Sequence, residues 1–332
     1  MKRFFLISIF ISGVITANAQ TAILEHGESS TVYTGADALV KAYNDAADHD
    51  VIYLGGGTFT ATVLNKPISI YGAGYHPDAT EVTGRSYIYS GLTIGESATS
   101  LKLEGLEING DLTASAEGVV VKACKMGNCN LNSDNASLIN NVILGATTCN
   151  NSSAHHIVSN NIMMAGIQSI SYSTIANNVI RGIVGSYSAN RRYIWGDNNI
   201  IKHNVCCDAT EPYIYEVVTG NNNIINHNVC WHSKITNDNA GNLASDNTMI
   251  DDAARASLFV DVPTARTWRW TDDYHLNTVY PCPDGVTAGI YGGEYPMKDY
   301  YLPSIPHLVS NSSAVKSNVE GKLNVRITYM PQ

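Results

Sequence analysis

Five short segments of the chain align on one column of asparagine. They are Leu138-Ile-Asn-Asn-Val-Ile143, Val158-Ser-Asn-Asn-Ile-Met163, Ile175-Ala-Asn-Asn-Val-Ile180, Ile201-Lys-His-Asn-Val-Cys206 and Ile225-Asn-His-Asn-Val-Cys230. The shared residues are Asn141, Asn161, Asn178, Asn204 and Asn228, separated by 20, 17, 26 and 24 residues. A fixed local pattern on a variable period describes a solenoid whose turns keep one cross-section while their loops change length. Leucine-rich repeats have similar periods, but the Leu lattice and the helical material they require are absent. Stacked strands remain.

The column has a physical reason. In a parallel coil each rung lies about 4.8 Å above the last, so an inward Asn at a bend passes amide hydrogen bonds along the stack. Asn also tolerates left-handed backbone. Three residues before each Asn stand Leu138, Val158, Ile175, Ile201 and Ile225, and two after it Ile143, Met163, Ile180, Cys206 and Cys230. All are apolar, as a narrow core demands. Less distinct rungs are expected near 101–103, 106–108 and 119–121. The reading is an all-β, right-handed parallel β-helix.

A coil has two ends, and an uncovered end templates aggregation. Ala36, Leu39, Val40, Tyr43, Ala46 and Ala47 recur at helical spacing behind Thr34, predicting an N-capped helix over 35–48 that covers the first rung. From about Asp261 to Pro303 the Asn column is lost and Trp, Tyr and Pro accumulate, which predicts a closing rung with its cover. After Pro303 and Pro306, alternating Leu323, Val325, Ile327 and Tyr329 predict one tail strand, paired with residues near 309–319. The expected organisation is a leader at 1–19, a coil at 20–302 and a tail at 303–332.

The leader is read from Met1-Lys2-Arg3, the apolar run Phe4 to Ile15 and the small-x-small exit Ala17-Asn18-Ala19, the layout of a secretory signal peptide. No Cys lies near the exit, so the expectation is a secreted or periplasmic protein that is not a lipoprotein and has no membrane insertion. Without Lys2 and Arg3 the chain has 18 basic against 29 acidic side chains. That balance disfavours nucleic acid and anionic membranes as partners. The seven Cys fit no zinc spacing, and several are expected to be plain core residues.

The order of Asp37-Ala-Leu39, Gly55-Gly-Gly-Thr58, Ile70-Tyr-Gly-Ala-Gly-Tyr-His-Pro77, the Asn-Asn-Val rungs, Asp273-Tyr-His-Leu276 and Gly289-Ile-Tyr-Gly-Gly293 resembles the pectate-lyase-like superfamily of β-helix proteins, in particular an exported Bacteroidetes group of mostly unassigned role. The resemblance implies the fold. It selects no activity, because that superfamily includes lyases, hydrolases, epimerases and adhesins.

Elimination on a uronic acid polymer needs a basic residue and commonly Ca²⁺ held by carboxylates. Lys202, Lys234, Arg181, Arg191 and Arg192 are available as bases, but no carboxylate cluster is evident and no cofactor is expected. Asp208 with Glu211 is the nearest acidic pair for hydrolysis. His203 and His227 share one position in consecutive rungs, which suits acid–base work and equally suits replacement of the Asn140, Asn160 and Asn177 found there earlier. A sugar-binding groove is expected on the loop flank, built from Arg191, Arg192, Tyr193, Trp195, Trp231 and His232, with Tyr187, Tyr213 and Tyr215 nearby. The functional expectations are therefore polysaccharide binding, a lyase or hydrolase in the same groove with Lys202, His203, His227 or Lys234 as acid and base, or an adhesive protein whose tail strand adds to a partner's sheet.

Overall fold

The computed structural model describes residues 20–150, 153–185, 191–207, 216–231, 234–236, 240–263, 267–278, 280, 284–298, 302–305, 307–311, 318–322 and 326–330. The expected leader lies outside them.

The chain winds into a parallel β-helix in which each full turn adds one strand to each of three sheets. One representative turn runs through Ser137–Ile139 in the first sheet, Val142–Ile143 in the second and Thr147–Cys149 in the third, then returns to the first at Ile157–Ser159. Successive rungs pair in register, as Leu138 with Val158, Ile175 and so on to Ile225. The expected early rungs are present at Lys102–Glu104, Glu107–Ile108 and Val120–Lys122, and the coil begins earlier still, at Val51–Leu54.

Both apolar columns point inward and are buried. So is the Asn column. The Asn141 backbone N–H and side-chain amide both donate to Asn161 Oδ1, at 2.8 and 3.0 Å, and the same pair of bonds repeats from Asn161 to Asn178, Asn204, Asn228 and finally Asn247. Each amide also donates to a strand carbonyl, as Asn178 does to Val158 and Ala176. The ladder thus satisfies buried backbone groups that a bend leaves without ladder partners. A second ladder stands at the bend from the third sheet to the first, where Asn199 donates to Asn223 and Asn223 to Asn242. Above them the same place is filled by Ser173 and His156, whose Nδ1 accepts the Ala136 N–H.

The capping helix spans Ala38–Asp45, shorter than the expected 35–48. Thr34 is not its N-cap, because Ser29–Thr34 is the outer strand of an antiparallel hairpin with Thr21–His26, and that hairpin closes the first sheet against Val51–Leu54. Ala38, Leu39, Ala42 and Tyr43 face the core. The Lys66 ammonium donates to the carbonyls of Tyr43, Asn44 and Ala46, filling the helix's last-turn acceptors. A second, five-residue helix not expected from the sequence follows the last rung, at Asp252–Ala256.

The described residues after 250 do not lie over the end of the coil. They run back as a strap along the outer face of the second sheet. Val142, Ile162, Val179, Val205 and Val229 point outward from successive rungs and are buried against strap residues that include Leu258, Tyr274, Ile290 and Met297. Each such side chain stabilises by about 1.5–3 kcal/mol relative to exposure. Polar fastenings add direction. Arg181 donates to the Pro263 carbonyl at 2.6 Å. Glu107, buried, pairs with both Arg85 and Lys125, and those two cations stand over Trp270, with Lys125 also over Trp268. Trp268 and Trp270 are packing residues, as their place in the sequence implies.

The tail strand is Ile327–Met330 and pairs antiparallel with His307–Asn311. Leu323 and Val325 lie outside the described residues. Cys124, Cys129, Cys149, Cys206, Cys207 and Cys230 are all buried, and Cys282 lies outside the described residues. Burial pushes the Cys124 and Cys149 thiols up to about 12, so they pack as hydrophobes. Among the described residues no helix is long and apolar enough to cross a membrane.

Candidate functional site

From Ser137–Ile139 onward, each first-sheet strand enters the second sheet through one residue in the left-handed region, followed by the inward ladder Asn. That column reads Asn140, Asn160, Asn177, His203, His227 and Asp246, all with φ between 54° and 57°. Because the ladder residue points in, the left-handed residue points out, toward the strap. Asn160 donates to the carbonyls of Ile290 and Gly292, and Asn177 to those of Thr287 and Gly289. Gly292 and Gly293 are needed here, since a Cβ at either would collide with Thr287 or Asn177.

One rung further the pattern becomes ionisable. His203 Nε2 lies 2.9 Å from Asp284 Oδ2 of the strap, and the Gly289 N–H donates to the His203 carbonyl. The His203 and His227 rings stack at 5.2 Å between centroids and 13° between planes. His227 Nε2 lies 4.0 Å from Asp246 Oδ2. Burial lowers the His203 pKa against the opposing pull of Asp284. Asp284 is pushed up by desolvation, yet the Val286 N–H and His203 hold it below the ordinary carboxylate value. The stable pairing near neutral pH is therefore a neutral imidazole with its proton on Nε2, donated to an ionised carboxylate. His203 Nδ1 is buried without a partner, which suits a bare lone pair better than an N–H. His203 and Asp284, with Asn177, Lys202, Glu294 and Tyr295, line a groove of about 630 Å³ between the first sheet and the strap.

A different surface lies on the third sheet. Its outward column is Thr93, Thr113, Asn130, Thr148, Gln168, Trp195 and Thr219, paired rung to rung. Gln168 donates to Thr148, and Arg192 donates to Thr219 while its guanidinium stands 5.2 Å from the centre of the Trp195 ring. Trp195 is 45% exposed. Beside it Lys234 pairs at 3.0 Å with Glu216, whose side chain is buried.

The groove expected from Arg191, Arg192, Tyr193, Trp195, Trp231 and His232 does not assemble as one site. Tyr193 is fully buried, because it sits at the bend just before the strand Ile194–Asp197 and so lies outside the alternation that turns Ile194 in and Trp195 out. Trp231 follows a second-sheet strand instead. It donates to Asp252 and carries the Arg255 guanidinium 3.9 Å above its ring, so it anchors the short helix. Arg191 is half-buried and precedes the third-sheet strand Ile194–Asp197 that bears Trp195. His232, Tyr187, Tyr213, Tyr215, Asp208 and Glu211 lie outside the described residues. The four acid–base candidates separate as well: Lys202 and His203 line the groove, His227 stacks below His203, and Lys234 belongs to the third-sheet surface.

The His pair occupies the turn position held by Asn in earlier rungs, and His203 also carries an ionisable partner. That partner, Asp284, lies 81 residues away from His203, and no local pattern announced it. The pairing of Glu216 with Lys234 was not expected either.

Fold and site together define a parallel β-helix with a strap along one flank. Neither a family model, nor a curated protein, nor a solved structure matches this chain.

Proposed function

We propose that this is an exported carbohydrate-binding β-helix that holds a polysaccharide along the outer face of its third sheet. The observation that carries the reading is Trp195. It is an exposed indole on a straight column of Thr, Asn and Gln at strand spacing, with Arg192 over its ring. The apolar face of a pyranose ring packs on an indole, and short hydroxyl and amide side chains exchange hydrogen bonds with sugar hydroxyls. Arg192 and Lys234 supply positive charge for an acidic sugar, next to the balancing Glu216.

The test is retention of the chain from Gln20 onward on gels containing acidic and neutral polysaccharides, with reducing ends and unsaturated uronate followed in parallel. The expected result is retention without product, weakened roughly tenfold or more in Trp195→Ala. Product formation that disappears in Lys202→Ala would instead make the groove an active site. Retention unchanged in Trp195→Ala would remove the third sheet from the account.

A further inference from the structure

We propose that His203, His227 and Asp284 form a binding site for a divalent transition-metal ion of the zinc type, which ties the strap to the last rungs of the coil. One ligand atom from each of the three lies within 4.8 Å of the others. They reach this place independently, from two successive rungs and from the strap. Asp246, in the same turn column one rung on, brings a fourth donor to within 4.0 Å of His227 Nε2.

The donor set chooses the ion. Two imidazoles and one or two carboxylates suit a borderline divalent cation such as Zn²⁺, whereas Ca²⁺ and Mg²⁺ take cages of oxygen. A tetrahedral ion about 2.1 Å from each donor sets donors about 3.4 Å apart. The His203–Asp284 separation of 2.9 Å and the His227–Asp246 separation of 4.0 Å lie on either side of that chord. The wider gaps close by side-chain rotation, in which His227 also turns out of its stack on His203, because an imidazole lone pair lies in its ring plane. His203, 2% exposed, is the fixed member, while Asp284 at 41% and Asp246 at 53% lie at the surface and are free to swing.

Loading displaces the hydrogen bond from His203 Nε2 to Asp284. The imidazole moves its proton to Nδ1, and the Nε2 lone pair and the carboxylate oxygen take the ion. No bond is broken apart from that N–H, and no redox partner is required. Nδ1 then carries a buried N–H without an acceptor, in contrast to the usual oriented second contact of a ligating His. The expected affinity is accordingly micromolar, weaker than that of a closed structural zinc site.

Among the described residues, the other buried carboxylates of the coil do not offer such a place. Glu107 is already bonded to Arg85 and Lys125, and Glu216 is paired with Lys234.

The experiment is titration calorimetry on the chain from Gln20 onward, free of any polyhistidine tag and stripped with chelator. Zn²⁺ is the probe, and Ca²⁺ and Mg²⁺ are the controls. One Zn²⁺ per chain is expected, with no response to either control and a rise in melting temperature on loading. Co²⁺ loading should give the intense visible bands of four-coordination. His203→Asn and His227→Asn are the decisive variants, because Asn fills the same left-handed position at Asn140, Asn160 and Asn177 and so preserves the turn. Each should weaken Zn²⁺ binding at least a hundredfold, and Asp284→Asn at least tenfold, with circular dichroism unchanged. The proposal falls if the wild-type chain takes up no Zn²⁺, or if the double His variant binds it as tightly.

Discussion

At its N-terminal end the core of the coil runs into a helix, and at its C-terminal end it runs out to the surface. Leu39 and Ala42 of the helix lie over the first rung, and the hairpin at 21–34 closes the first sheet beside them. In the last described rung, Leu243–Ser245 and Thr248–Met249 are exposed throughout, although the residues stacked directly above Ala244 and Met249, Ile225 and Cys230, are fully buried. The described chain that follows this end covers the flank of the second sheet instead. Burial in this molecule therefore depends on rung position as much as on residue type, and identical substitutions should have graded costs along the coil.

The largest difference is expected within the Asn ladder. Asn178→Ala removes acceptors from Asn161 and donors to Val158 and Ala176, all in the buried interior. The expected loss is about 3–4 kcal/mol in urea denaturation. Asn247→Ala, at the open end, should cost about 1 kcal/mol. Equal costs would mean that the last rung is as well covered as the middle. At the closed end Leu39→Ala should lose about 3 kcal/mol, the ordinary cost of a cavity under a fully buried Leu.

A further effect is tied to pH. His156 fills a rung of the second ladder, and its Nδ1 must stay unprotonated to accept the Ala136 N–H. Burial lowers its pKa from 6.5 to about 4. The unfolded chain then binds the proton more readily than the folded one. Stability is complete above about pH 6.5, falls as pH drops through the window between 6.5 and 4, and levels off below it. The expected loss over the full window is about 3 kcal/mol. His203 is shifted in the same direction, so the discriminating measurement is the pH slope of wild type against His156→Asn, which supplies the residue used at Asn199 and Asn223. A parallel slope in the variant would take His156 out of the explanation.

The coil was legible because its period writes one physical constraint into every turn, an inward Asn flanked by two inward apolar residues. The strap was not read, although a signal for it stood in the apolar residue directly after each ladder Asn: Val142, Ile162, Val179, Val205 and Val229 mark strands buried on both faces. The reading of the C-terminal third as an end cover erred because composition shows that a segment is apolar but not which surface it meets. The helix boundaries erred because the Thr34 cap signal belongs to a hairpin. The site was legible by halves. The His column followed from register, but Asp284 and Glu216 arrive from loops whose placement depends on tertiary packing, and the aromatic set mixed residues from strands and bends that face different ways.

The smallest expected effect is the sharpest test of the two ends. Leu243 is 68% exposed and sits on the outer edge of the first sheet, below Ile224. If the end is open in solution, Leu243→Ala should change stability by less than about 0.5 kcal/mol, as surface substitutions do. Amide exchange in 243–249 should be fast beside that in 200–206. The rung edge still presents unpaired strand groups next to apolar side chains, the condition under which strands add to other chains. Sedimentation of wild type and Leu243→Lys therefore completes the comparison. A monomer in both, with a small stability change, leaves the end open. A wild-type assembly that the charge disperses would mean that another chain supplies at this end the cover that the helix supplies at the other.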